Sequence, residues 1–349
     1  ICGKKNKVNT KKNNIIFIGL LVLLAVCFVL NISLGSVKVP LEDIFNSLSG
    51  GQASKNSWQV IIWNYRLPKA ITAILVGMGL SISGLLMQTL FRNPLAGPDV
   101  LGLSSGASLG VAFVILGSAF MPSFLSQFFL SSYGMVLSSI IGSSLVLLAV
   151  LVVSQKLRDT MAILIVGLMF GSFASAIIGV LSYFSSAEEL QKFTFWALGS
   201  LGNQSWTNIL ILASTTFIGL VLSAICIKPL NALLLGERYA TSLGINYRKT
   251  RLLLIIATSI LAGSITAFAG PIAFIGLAVP HIAKMIFQTS SHYILFWGTL
   301  LLGAITLLIC DTVSQMPGSD FTLPINAITS IIGAPIVVYL LVRKRKFMI

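Results

Sequence analysis

This sequence predicts an all-α, polytopic membrane protein of about ten transmembrane helices, on three observations. Only 9% of its 349 residues are charged and 56% are hydrophobic, whereas a soluble domain carries about 25% charge. Mean hydropathy is +0.96. Long uncharged runs recur, among them Ile15–Val37, Val100–Gln155 and Leu252–Ala283, and about 20 apolar residues suffice to cross the hydrocarbon core.

Turn residues divide the longer runs, giving spans at roughly 15–33, 66–91, 98–117, 133–155, 160–185, 207–227, 249–269, 274–288, 292–312 and 325–343. An even number of spans puts both termini on one side. With the termini inside, eighteen of the 23 Lys and Arg fall in cytoplasmic segments and five outside. That asymmetry makes both termini cytoplasmic. Residues 1–14 form a basic cytoplasmic tail, and 15–346 a single transmembrane domain. No small-residue cleavage site follows the first apolar run, so it reads as a retained helix. The net charge of +14 sits in loops and tails facing anionic lipid, so nucleic acid is not an expected partner. The four cysteines are scattered with no C-x-x-C, and neither a metal site nor a disulfide framework is expected.

Along the chain, the first informative stretch is Phe91–Gly110, F-R-N-P-L-A-G-P-D-V-L-G-L-S-S-G-A-S-L-G. Pro94 and Pro98 force a break, because proline lacks a backbone N–H and disfavours helix before it. Gly102, Gly106 and Gly110 then repeat at four-residue spacing, and Gly167 and Gly171 begin a second stripe. Bare backbone on one face permits close helix packing in a membrane, or leaves room along a solute path. Arg66 and Lys69 in Tyr65-Arg66-Leu67-Pro68-Lys69 mark the outer start of the second span, where basic groups anchor to headgroups or meet a docked partner.

The cytoplasmic segment 228–248 reads K-P-L-N-A-L-L-L-G-E-R-Y-A-T-S-L-G-I-N-Y-R. Pro229 is expected to end the sixth span. Leu230, Leu233, Leu234, Tyr239 and Leu243 make an apolar side across two short helices around Gly236, and Gly244 offers a C-cap. Such a segment either lies on the membrane or docks a partner. Gly270–Lys284, G-P-I-A-F-I-G-L-A-V-P-H-I-A-K, places Pro280 inside a span, with His281 near its cytoplasmic end. Neither His281 nor His292 has a pattern of carboxylate or cysteine partners, and no G-x-x-x-x-G-K-[ST] sequence is present. The chain is therefore expected not to be an enzyme, and any ATPase must be another polypeptide. Acids near mid-membrane are almost missing, which argues against an ion-coupled secondary carrier.

These motifs, in this order, resemble the permease subunits of ABC importers for iron-siderophores, haem and cobalamin, the FecCD type, from about Arg66 to Pro335. The resemblance implies that Leu235, Gly236, Glu237, Ala240, Ser242, Leu243 and Gly244 contact an ATPase subunit. It also implies that Pro280 and His281 shape the cytoplasmic end, and that Arg158, Asp159 and Thr160 belong to a cytoplasmic gate. Arg66 and Lys69 would offer charge to a periplasmic or lipid-anchored binding protein. Asp311-Thr312, Leu323-Pro324 and Ile332-Gly333-Ala334-Pro335 match the family's ending. Thr322, where the family usually has Glu, Gln315 in place of an outer Arg, and Asn326 in place of Gly depart from it. Implied partners are an ATPase dimer carrying ATP and Mg, a second permease copy or paralogue, a binding protein and lipid. Iron-siderophore uptake across a bacterial plasma membrane is the expected activity, with no cofactor in this chain.

Overall fold

Helices are the only regular elements in the computed structural model, which describes residues 2–35, 37, 39–118, 122–154, 160–202, 204–316 and 321–345. Helix α1 (Cys2–Ser33) runs from the basic tail into the first apolar run without a break. Two short helices follow outside the apolar runs, α2 (Leu41–Leu48) and α3 (Asn56–Ile61). Near them, the Ser54 hydroxyl and amide both donate to Asp43 Oδ1 at 2.6 Å, and hold that carboxyl below the usual range. A π-helical turn, Ile62–Arg66, joins α3 to α4 (Leu67–Leu90). Pro68 lies in the first turn of α4, where a missing N–H is tolerated.

The chain continues through α5 (Leu103–Ile115), α6 (Ser123–Phe129), α7 (Ser132–Ser154), α8 (Thr160–Phe184), α9 (Ala187–Leu198) and α10 (Trp206–Ile225). Then come α11 (Ile227–Leu233), α12 (Glu237–Ser242), α13 (Tyr247–Ala269), α14 (Ile275–Phe287), α15 (His292–Ser314) and α16 (Ile325–Arg345). Among the described residues, seven stretches, lying in α1, the rod from α3 to α4, α7, α8, α10, α13 and α15, are long and apolar enough to cross a membrane. The runs expected at 98–117, 274–288 and 325–343 hold shorter apolar helices.

The first two short helices have a common cause. Residues 98–102 stay out of helix because Pro98 cannot donate and Gly102 adopts φ +77°, so Gly102 caps α5 instead of lying on its face. Phe274, at φ +68°, likewise delays the start of α14. The two breaks support each other: Asp99 Oδ2 accepts the Phe274 N–H at 3.2 Å, and the Ser104 hydroxyl donates to Asp99 Oδ1.

Helix α4 is the centre of the bundle, packed by α15, α13, α14, α10 and α1. In its most apolar window 78% is buried, against 17% for α8. Small residues set the separations. A Cβ on Gly106 would lie 2.6 Å from Gly142 O, and one on Gly110 2.1 Å from Ser138 O, so α5 meets α7 backbone to backbone. Gly167 and Gly171 face the start of α5 at Leu101 and Ser105. The helix break expected at Pro229 comes three residues earlier, at Cys226; Pro229 is absorbed in the first turn of α11.

Candidate functional site

Segment 228–248 forms an elbow at the end of the bundle where α4 finishes. Gly236 has φ +119° and ψ 152°, a region open essentially only to glycine, and turns α11 into α12. Helix α12 closes with two backbone bonds, Gly244 N to Thr241 O at 3.0 Å and Ile245 N to Ala240 O at 3.1 Å. This is a Schellman ending, with Gly244 left-handed at φ +83°. Ala240 is buried beneath it, as are Leu230 and Leu233 of α11. Leu234, Leu235, Tyr239 and Leu243 point outward, Leu235 at 65% exposure. Of the residues expected to meet an ATPase, Leu235, Glu237, Ser242, Leu243 and Gly244 are exposed, Gly236 is half-buried, and Ala240 supports them from beneath.

The elbow is fastened to the bundle by residues that sequence reasoning did not single out. Arg92, just past α4, donates through Nη2 to Leu233 O at 2.8 Å. With Leu235, Glu237 and Tyr239 it borders an open depression of about 620 Å³. Arg92 carried one signal in the sequence, as the lone charge in an otherwise apolar stretch from Ala70 to Pro98. The loop after it is tied to α14. His281 Nε2 lies 2.7 Å from Pro94 O, a pure acceptor, so Nε2 carries the proton and donates. Lys284 Nζ donates to Gln88 Oε1 at 3.1 Å, and Gln88 Nε2 to Leu277 O at 3.1 Å. Helix α14 runs through Pro280, which removes only the rung to Gly276 O.

Arg158 and Asp159 lie outside the described residues, as does the side chain of Thr160, whose backbone opens α8.

At the opposite end, the two basic residues expected to face a docked protein are engaged within the chain. Arg66 is 9% exposed; Nη1 donates to Ile32 O at 2.6 Å and Ser33 O at 2.8 Å, and Nη2 to Val37 O. It thus satisfies carbonyls that the end of α1 leaves without intrahelical partners. Lys69 Nζ pairs with Asp311 Oδ1 at 3.1 Å. Asp311 Oδ2 accepts from Asn31 Nδ2 and from Gln315 Nε2, both at 2.9 Å. Gln315, one of the departures from the family pattern, therefore completes the shell of a buried carboxylate. Asn326, another departure, accepts the Ala273 N–H at 3.3 Å. Arg66, Lys69, Asp311 and Gln315 border a cavity of about 780 Å³ that also touches Tyr65, Leu198 and Pro324.

Comparison with known proteins agrees with this arrangement. The FecCD transport family matches residues 23–343. The haemin transport system permease protein HmuU of Yersinia pestis is 33% identical over 329 residues, 94% of this chain and 95% of that protein. The vitamin B12 import system permease protein BtuC of Klebsiella pneumoniae is 33% identical over 330 residues, covering 94% and 93%. A solved inward-facing structure, described as a metal-chelate type ABC transporter, superposes with a TM-score of 0.78 at 29% identity, covering 93% of this chain and 98% of that one. The chain therefore belongs to the FecCD transport family, as a multi-pass permease and not an enzyme.

Proposed function

We propose that this chain is the permease of an ABC importer for metal chelates, with ferric siderophores first in the substrate class and haem and cobalamin beside them. The observation that carries the reading is the elbow of α11 and α12. It offers exposed Leu235, Tyr239 and Leu243 to a partner, while Leu230, Leu233 and Ala240 anchor it within. A separate ATPase dimer, holding ATP and Mg, docks there, and the permease needs no cofactor of its own. The Lys and Arg asymmetry supports this end, and both termini, lying in the cytoplasm, and the proposal takes ten membrane crossings in a bacterial plasma membrane. A second copy completes the solute path, and a binding protein delivers the solute on the far side, over the cavity near Lys69. The relatives named for haemin and vitamin B12 support the chelate class.

The test is reconstitution in proteoliposomes with an ATPase and binding protein from the same source. Uptake of a radioiron-loaded hydroxamate siderophore, haemin and cyanocobalamin is followed with and without ATP. A Gly244→Pro variant accompanies the wild type, because proline fixes φ near −65° and removes the N–H that bonds Thr241 O. Uptake of one chelate that requires ATP and is lost in the variant is expected. Uptake driven by an ion gradient without the ATPase would overturn the reading.

A further inference from the structure

A chain of polar groups, half-buried at Asn231 and buried at His292 and Thr89, runs from the elbow to the last turn of the central helix α4, at a place where apolar contact would serve for packing alone. Asn231 of α11 accepts the backbone N–H of His292 at 2.8 Å through Oδ1, and the same oxygen lies 3.1 Å from His292 Nδ1. On the other side of the ring, His292 Nε2 lies 2.8 Å from Thr89 Oγ1, in the last turn of α4. His292 is 2% exposed. Three elements meet at one imidazole: the elbow, the start of α15 and the end of α4.

The proton positions follow from the partners. The Asn231 oxygen is an acceptor, and holding the His292 N–H orients the amide with that oxygen inward. The ring nitrogen facing it must therefore be a donor, which places the proton on Nδ1. In the neutral ring Nε2 then carries a lone pair and accepts from the Thr89 hydroxyl. That hydroxyl has one proton and a second acceptor within reach, Leu85 O at 2.9 Å, one turn back in α4. When the ring moves away, the hydroxyl turns to Leu85 O and no buried donor is orphaned. The contact can be made and released at small cost on the α4 side, unlike an ordinary buried hydrogen bond.

We propose that Thr89, His292 and Asn231 form a releasable bridge that transmits displacement of the elbow to α4. Arg92, bonded to Leu233 O, ties the same short helix to the end of α4. Helix α11 is thereby tied to the end of α4 through both contacts, and α12 joins it through the Gly236 turn. The bridge rests on the reading of the elbow as the ATPase dock, and its residues are positioning residues, argued to act through the elbow and α4.

The test uses full-length permease reconstituted with its ATPase and binding protein, with uptake and ATP hydrolysis measured in the same vesicles. Thr89→Val removes the hydroxyl at nearly constant volume. His292→Asn keeps a donor near the Nδ1 position but cannot reach Thr89; His292→Gln does the reverse. In all three, uptake per ATP hydrolysed is expected to fall about fivefold or more while the ATPase stays bound and hydrolysing. Thr89→Ser restores the hydroxyl and is expected to keep uptake per ATP near wild type. Wild-type uptake per ATP in the first three variants overturns the bridge. So does loss of ATPase binding in step with uptake, which would make the chain merely structural. A wild type without ATP-dependent uptake of siderophore, haemin or cyanocobalamin overturns the ABC reading itself, and the bridge with it.

Discussion

Gly84 and Pro280 answer one another across the interface of α4 and α14. Pro280 leaves Gly276 O without its helical donor. Gly84, lacking a side chain, brings α4 so close that a Cβ there would lie 1.6 Å from that oxygen, and at such distances Cα–H groups lend the carbonyl weak partners. The obstacle is backbone on a packed helix, so it cannot swing aside. Gly84→Ala is expected to destabilise the protein by about 1–3 kcal/mol. It should lower the midpoint of thermal unfolding in detergent by several degrees. Gly19→Ala on α1, where nothing lies within 4 Å of an added Cβ, is the matched control and should leave the midpoint unchanged or slightly higher. Equal midpoints for the two variants would show that the close approach at Gly84 is not required. Both glycines look alike in sequence; only the neighbour, 192 positions away for Gly84, separates them.

Among the elements, the elbow was the most legible. Gly236 and Gly244 punctuate the segment, and both adopt the positive φ that favours glycine. Its boundary was less legible, because proline in a first helical turn is as acceptable as proline after a last one, and Pro229 could mark either. Helices α2, α3 and α9 were invisible to a search for long apolar runs, being short and polar. Yet α9 carries a readable capping box, with Ser186 accepting from the Glu189 N–H and Glu189 answering. The elbow also makes a local prediction. Gly236→Ala forces a non-glycine residue into φ +119° and ψ 152°, at a cost of about 1–3 kcal/mol, and sets the new Cβ 3.3 Å from Arg92 Nη2. Affinity for the ATPase, measured by titration in nanodiscs, is expected to drop about tenfold or more. The thermal midpoint of the permease alone should fall less than for Gly84→Ala, since the elbow can relax locally at the end of the bundle. Unchanged affinity would separate the turn from docking.

Over the whole molecule, burial is unequal in a way that bears on assembly. Helix α4 is surrounded, whereas α8 presents Met169, Phe173, Val180 and Tyr183 outward. Ser175 and Gly179 are exposed on the same helix, and nothing lies within 4 Å of a Cβ added at Gly179. Small residues let a neighbouring helix approach at backbone distance in lipid, where side-chain hydrophobicity gives no drive. The proposed second copy therefore has a place to pack. Gly179→Trp is expected to shift purified permease from dimer toward monomer in mass photometry, while the wild type stays dimeric. A wild type that is monomeric at every concentration would remove this role from α8.

The sequence by itself determined membrane residence, the succession of apolar runs and the family, because hydropathy and motif are read within a window of about 20 residues. It also located the break at Pro94 and Pro98, since proline acts on its own backbone, whereas the extension of that break to Gly102 and the turn at Phe274 came only with the fold. Tertiary structure decided which polar groups are free and which are committed. Arg66 and Lys69 read as outward-facing charges, yet one caps carbonyls of α1 and the other neutralises Asp311. His292 read as a histidine without partners, yet it joins Thr89 to Asn231. Their partners lie 29 to 242 positions away, and a group buried in an apolar interior must find a partner wherever the fold brings one. That requirement is met in space, so no local pattern announces it.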